Sequence, residues 1–291
     1  MNKRILIVVL LALFFIVSIQ AQLLWKVSGN GLTRPSYLFG THHLIEKSQI
    51  KDFDKILTLA GQADAVVGEM DMGNMLGMQL KMLKGVMMKD TTINDLMNEA
   101  DYKMVETEFK LSMNMSLKTL GHMKPMMLSS MYSIMTYTKL NKLKKQPEGV
   151  DIFFQKRARK EKKQVIGLET IEQQMDILFN SIPLKRQADL LVEGVKEKDK
   201  GIELMNKLNV AYLSGNLMAL EALNNEDDDM TSDEKKLMLD NRTTNWVKQL
   251  SVLIPTKSCF VAVGCMHLVG EKGLIDQLQK AGYKVEGVNQ L

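Results

Sequence analysis

A chain of 291 residues, 45% apolar and 25% charged, has a globular balance and the length for one large α/β domain or two small ones. Its net charge is only +4, and no basic block is interleaved with aromatic residues. That combination excludes the usual pattern of a nucleic-acid binder.

Residues 1–21 read as a secretory signal. Asn2-Lys3-Arg4 is a short basic start, Ile5 to Ile19 is an apolar run interrupted only by Ser18, and Ala21 offers a small residue before a cut. The run is short for a membrane-spanning helix. The expectation is therefore an exported chain, periplasmic or extracellular, with no stable membrane span once the signal is removed. The mature part, 22–291, is expected to be a single domain.

Leu23–Val27 and Ser36–Phe39 read as two strands joined by the turn Gly29-Asn30-Gly31. The second runs into Gly40-Thr41-His42-His43. Ile50 to Ala60 has helical periodicity. Ala65-Val66-Val67-Gly68-Glu69 is a buried strand ending on a carboxylate. Sixteen of the 23 methionines fall between Met70 and Met135, in candidate helices over about 74–88, 91–110 and 116–142. Methionine fills irregular gaps, so this stretch reads first as an adaptable core and second as a pliable groove for a peptide or apolar ligand. It is taken as a helical insertion at about 71–150. Asp151 opens a further helix, Gln164–Glu169 is a strand ending in a carboxylate, and Thr170 with Gln173 forms a capping box. Residues 183–250 read as helical throughout, with Asn225–Asp229 as an acidic loop and a long helix carrying Asn241, Arg242 and Trp246. Phe260–Val263 is a second strand running into Gly-x-x-His, ending at His267. A helix closed by Gly282 and a last strand, Tyr283–Val288, complete the chain. The whole reads as an α/β fold: a central mixed sheet flanked by helices, with the Met-rich helical insertion. Cys259 and Cys265 bracket a strand about 20 Å long, beyond disulfide reach, so both are expected as buried free thiols.

The polar groups at strand and helix ends are His43, Glu69, Asp151, Glu169 and His267. Two imidazoles with carboxylates suit a divalent ion such as zinc, manganese, cobalt or iron. A bound ion would activate water and polarise a carbonyl, as in hydrolysis of a peptide, ester or amide. His43, His267, Glu69 and Asp151 are the candidate metal ligands. Glu69 and Glu169 are candidate catalytic carboxylates, and Arg242 a candidate oxyanion stabiliser. No His-Glu-x-x-His, Gly-x-Ser-x-Gly or Gly-rich phosphate loop occurs, which disfavours the commonest zinc proteases, serine hydrolases and nucleotide binders.

These motifs, in this order, resemble the TraB/PrgY/GumN family: Gly40-Thr41-His42-His43, Glu69-Met70-Asp71, Gly149-Val150-Asp151, Gly167-Leu168-Glu169-Thr170, Asn241-Arg242, and Gly264-Cys265-Met266-His267. The resemblance spans essentially the whole mature chain. It implies a fold related to the erythromycin-esterase and ChaN-like group. It also implies kinship with the TIKI metalloproteases, in which paired Gly-x-x-His motifs serve a manganese- or cobalt-dependent peptidase. The first motif histidine then falls on His43 and the second on His267, and the partner is a peptide or protein substrate. Two departures stand out: Cys265 and Met266 are bulkier than the Ala-Gly usual in the second motif, and Met70 replaces a leucine. The alternative expectation is a non-catalytic protein that binds or sequesters a peptide or apolar ligand.

Overall fold

The computed structural model describes residues 22–144, 146–226 and 230–288. The signal-like segment 1–21 and most of the acidic stretch Asn225–Asp229 lie outside the described residues. Six strands form one mixed sheet: β1 (Leu24–Ser28), β2 (Ser36–Thr41), β3 (Ala65–Met70), β4 (Gln164–Glu169), β5 (Cys259–Gly264) and β6 (Lys284–Gly287), in the order β4-β3-β5-β2-β1-β6. β4, β3, β5 and β2 run parallel, whereas β1 pairs antiparallel with both β2 and β6. The β1–β2 hairpin turns through Gly29-Asn30-Gly31, all with positive φ, as the Gly-Asn-Gly sequence leads one to expect. The strands that enclose β5 read as apolar runs because helices cover both their faces. Phe39 of β2, Phe260 of β5 and Phe154 stack into one aromatic cluster, with centroids 5.6 Å (Phe39–Phe154) and 4.7 Å (Phe154–Phe260) apart.

The helices are α1 (Phe53–Gln62), α2 (Met75–Gly85), α3 (Glu99–Met113), α4 (Pro125–Leu140), α5 (Val150–Lys160), α6 (Ile171–Asn180), α7 (Leu184–Lys196), α8 (Lys198–Leu213), α9 (Leu217–Glu226), α10 (Ser232–Lys235), α11 (Asn241–Leu253) and α12 (Leu274–Lys280). Two expected spans change. The helix read over 91–110 divides into a short 3-10 turn, Ile93–Leu96, and α3, because Asn98 interrupts it and caps the new start by accepting from the Asp101 amide at 2.9 Å. The helix read from Ser116 begins only at Pro125, which lacks an amide hydrogen and suits a first helical position. The expected long helical layer is also broken, by a turn at Gly215 (φ 65°) and by a π turn over Lys236–Asp240.

The Met-rich helices build a hydrophobic cluster of their own. Val105, Phe109, Leu117 and Leu128 are fully buried there, and α7 contributes Leu191 and Val192. Met97, Met104, Met115, Met123 and Met131 pack around its margin. The helical lobe is thus wider than residues 71–150, since α7 supplies one wall. Both cysteines are free and buried, as expected. Among the described residues, no helix is long and apolar enough to cross a membrane.

Candidate functional site

Four parallel strands deliver their carboxyl ends to one rim, the place where open α/β sheets present ligand-binding side chains. β2 leads into His42 and His43, β3 carries Glu69, β4 ends on Glu169, and β5 leads through a 3-10 turn to His267. The two Gly-x-x-His segments, far apart in the chain, are adjacent here: Gly40 pairs with Val263 and Thr41 with Gly264. Both glycines sit where a side chain would crowd its neighbours. A Cβ on Gly40 would lie 3.1 Å from Cys265 Cβ and 2.9 Å from Leu268 Cδ1, and one on Gly264 would lie 3.2 Å from Glu69 Oε1.

Arg242 is the hub. It is 6% exposed, and each of its five N–H groups has an acceptor. Nε and Nη2 grip the Glu169 carboxylate in a fork, each at 2.9 Å; Nη2 also donates to Glu69 Oε2 at 2.8 Å. Nη1 donates to the Met238 carbonyl at 3.2 Å and lies 3.4 Å from His267 Nε2. The π turn before α11 helps place two consecutive inward side chains, Arg242 and Thr243, whose partners Met238 and Leu239 sit in that turn. Trp246 donates its indole N–H to Glu169 Oε1 at 3.0 Å, and its ring lies under the guanidinium at 4.9 Å.

Glu69 accepts from the Gly264 amide at 2.9 Å through Oε1, and from Gln174 at 3.1 Å and Arg242 through Oε2. Burial opposes its charge, but the charge that His267 takes up in acid, the Arg242 guanidinium and the Gly264 amide outweigh burial and hold the carboxyl below its ordinary range. His267 is 5% exposed, and burial lowers its pKa to about 4, so the ring is neutral near pH 7. Its tautomer follows from Thr243. That hydroxyl donates to the Leu239 carbonyl at 2.9 Å, so at 2.7 Å it accepts from the Nδ1–H of His267. The Nε2 lone pair is left facing Arg242.

The other two candidates stand apart from this network. His43 has a side chain 67% exposed, and its Nδ1 lies 3.9 Å from Asp151 Oδ1. Asp151 sits in the first turn of α5, and its Oδ1 is buried with no hydrogen-bond partner. His43 is close enough for its charge to act on both Glu69 and His267. Its neighbour His42 turns the other way, against the Tyr212 ring at 5.3 Å, and is buried. Asp71, part of the quoted acidic motif, leaves the site and pairs with Arg159.

The donor types suit a divalent ion, and two carboxylates, Glu69 and Glu169, share the one guanidinium of Arg242. In this arrangement, however, no three His, Cys, Asp or Glu side chains among the described residues stand together as an ion-holding group. Glu69 and His267 are engaged by Arg242. His43 and the orphaned Asp151 oxygen are the pair free to take a cation. Sequence reading missed Thr243 and Gln174. Each follows a motif residue directly or by a few positions, but nothing in the one-dimensional pattern shows that Gln174 reaches Glu69.

Fold and site together define an α/β protein with a polar cluster at the carboxyl rim of four parallel strands. The chain belongs to the TraB/PrgY/gumN family, whose sequence model matches residues 23–287. No curated protein and no solved structure matches it.

Proposed function

We propose that this chain is an exported, metal-dependent hydrolase, a peptidase in kind, whose active site is the rim bearing His43, Asp151, Glu69 and His267. The observation that carries this reading is the His43–Asp151 pair: a buried carboxylate oxygen without a hydrogen bond, 3.9 Å from an exposed imidazole. Manganese or cobalt is the ion the family resemblance favours, with zinc as the alternative, and His43 and Asp151 would hold it. Bound there, such an ion supplies polarisation of a carbonyl and a more acidic water. Glu69 supplies the base: Oε1 accepts from the Gly264 amide alone and keeps a lone pair for a proton of the attacking water. Arg242 is a positioning residue that keeps Glu69 charged and fixed, and Glu169 holds Arg242 in place. Export rests on residues 1–21 and is tested by amino-terminal sequencing of the secreted chain, which should begin at Gln22.

The direct test is incubation of the protein with a peptide library, with and without manganese, followed by mass spectrometry of new termini. Cleavage that requires the ion and disappears in His43→Ala and Glu69→Gln is expected. No new termini with manganese, cobalt or zinc would defeat the reading.

A second reading is favoured by the saturation of Arg242, all of whose donors are engaged inside the protein. A network so closed suits a binding protein that holds a peptide or apolar ligand without cutting it. Peptides recovered intact but retained by the protein in the same experiment would select it.

A further inference from the structure

Charge is distributed unevenly along the chain. From Phe109 to Pro147 there are seven lysines and neither aspartate nor glutamate, so this stretch carries +7 in a chain of net charge +4, and the remainder is net negative. Other lysines of the helical lobe face carboxylates: Lys103 pairs with Glu99 at 2.5 Å, Lys196 with Asp101 at 2.8 Å and Lys198 with Glu108 at 2.6 Å. At the carboxyl end of α4 no such pair forms among the described residues. Lys139, Lys142 and Lys144 are all exposed there, and Lys139 Nζ donates to the Leu111 carbonyl at 3.3 Å.

The same end exposes apolar side chains. The Lys139–Leu111 bond joins the last turns of α3 and α4, and there Leu111 is 70%, Met135 40% and Leu140 51% exposed. Met135 and Lys139 are four residues apart and share one face of α4. The tip has a defined turn. Lys142 takes the left-handed conformation that ends a helix, with φ 50°, and the Leu143 amide closes back on the Thr138 carbonyl at 2.9 Å. Glycine commonly holds that position, because it has no Cβ to strain. A lysine stands here, so the surface carries a charge where the backbone favours another residue.

This tip lies at the rim end of the sheet. Thr136 of α4 lines one cavity with His42 and Leu44, and the charge of Glu46 acts on Tyr137, so α4 finishes beside the loop that follows β2. The chain also enters the sheet at that end, since the Gly40 amide donates to the Leu23 carbonyl at 2.9 Å. The apolar run Ile5–Ile19 comes shortly before that point in the sequence. Passage of that run into a bilayer during export brings this end of the body nearest the lipid.

We propose that the tip of α3 and α4 docks on an anionic phospholipid surface, with Lys139, Lys142 and Lys144 at the headgroups and Leu111, Met135 and Leu140 entering between them. Aliphatic side chains exposed among unpaired lysines match a partner that is anionic at its surface and apolar beneath. A single-stranded nucleic acid calls for exposed aromatic rings on which bases stack, and both tyrosines of α4, Tyr132 and Tyr137, are buried. Docking brings the rim end of the sheet to the bilayer and is independent of any hydrolysis there.

The test measures sedimentation of the protein with vesicles of phosphatidylcholine alone and of equal parts phosphatidylcholine and phosphatidylglycerol. The chain is used from Gln22 onward, because the apolar run would bind lipid by itself and every element of the fold lies beyond it. Binding to the mixed vesicles only, weakening as salt rises, is expected. Lys139→Gln, Lys142→Gly and Lys144→Gln together should weaken it about a hundredfold, or about fivefold for each charge. Leu111→Gln with Leu140→Gln should weaken it about tenfold. The melting temperature should hold in both variants, since glutamine is about as good a helix former as leucine and Lys142→Gly suits the left-handed backbone. Equal binding to the neutral vesicles, or binding to neither, would overturn the proposal, as would mixed-vesicle binding that survives the lysine replacements. Binding that depends on the lysines but not the leucines, or that occurs on heparin and not on vesicles, would mean attraction to any polyanion and would overturn it too.

Discussion

The rim of the sheet and the helical lobe treat polar groups in opposite ways. At the rim every donor of Arg242 is matched, and Glu69, Glu169 and Thr243 each have protein partners. In the helical lobe, the Ser129 hydroxyl oxygen of α4 is buried and has none. A matched buried network is fixed in one arrangement, because each member loses a partner if another moves. An unmatched buried donor costs the protein stability instead of fixing it. The contrast separates groups that hold one another in place from groups that nothing in the protein engages. His43 and Asp151, at the open end of the rim, belong with the second kind.

The comparison breaks most visibly at Arg242. Arg242→Met leaves two carboxylates without their shared cation, and unfolding in guanidinium should show a loss of about 3–5 kcal/mol. Arg242→Lys should recover part of that loss only, since a point charge cannot fork across Glu169. A loss under 1 kcal/mol in Arg242→Met would mean that the rim is not held by this network.

Acid should act next. His42, neutral when folded, has its pKa lowered to about 4 from 6.5, first by burial and then by the charge of His43. Below pH 6.5 the unfolded chain takes up a proton that the folded chain refuses. The stabilisation is thus complete above pH 6.5, falls as the pH drops toward about 4, and changes no further below that. The expected loss is roughly 3 kcal/mol, read as a falling denaturant midpoint. His267, lowered to about 4 as well, titrates in the same window, so a His42→Gln variant should remove the His42 share of the loss and leave that of His267.

A pair of hydroxyl deletions sharpens the contrast. Thr243→Val removes the partner of a buried imidazole N–H and should destabilise by about 1–3 kcal/mol. Ser129→Ala removes an unpartnered hydroxyl and should change unfolding by less than about 0.5 kcal/mol, or stabilise. Equal losses in the two would erase the distinction. The smallest effect concerns the thiols. Burial pushes Cys259 up to about 11 and Cys265 up to about 12, so neither should react with a thiol reagent at neutral pH until the protein is unfolded.

How much of this was legible in one dimension depends on how local its cause is. The strands were legible because a strand covered on both faces must be apolar throughout, as Val66-Val67 and Phe260–Val263 are. The meeting of the two Gly-x-x-His segments was suggested by their likeness, and the parallel pairing of β2 with β5 accounts for it. The start of α4 at Pro125 was open to a local reading that gave more weight to proline than to Ser116. The central place of Arg242 was not legible, because its partners come from β3, β4 and the turn after β5, and only packing of α11 against the sheet collects them. Nor was the orientation of the adjacent histidines, where strand alternation sends His42 inward and leaves His43 exposed.

The strand order has a consequence for how the molecule forms. β5 lies between β2 and β3, so Tyr37 and Val66 are both neighbours of Phe260, while the last strand, β6, closes on the first, with Val27 opposite Val285. Until residues near the carboxyl end have been synthesised, the β1–β2 hairpin and the β3–β4 pair have no strand to join them. Contacts between such distant residues carry a large loop-closure entropy, which slows folding. The sheet therefore assembles around a late strand, and a chain halted before Cys259 leaves β1, β2 and β3 each with an unpaired edge open to another chain.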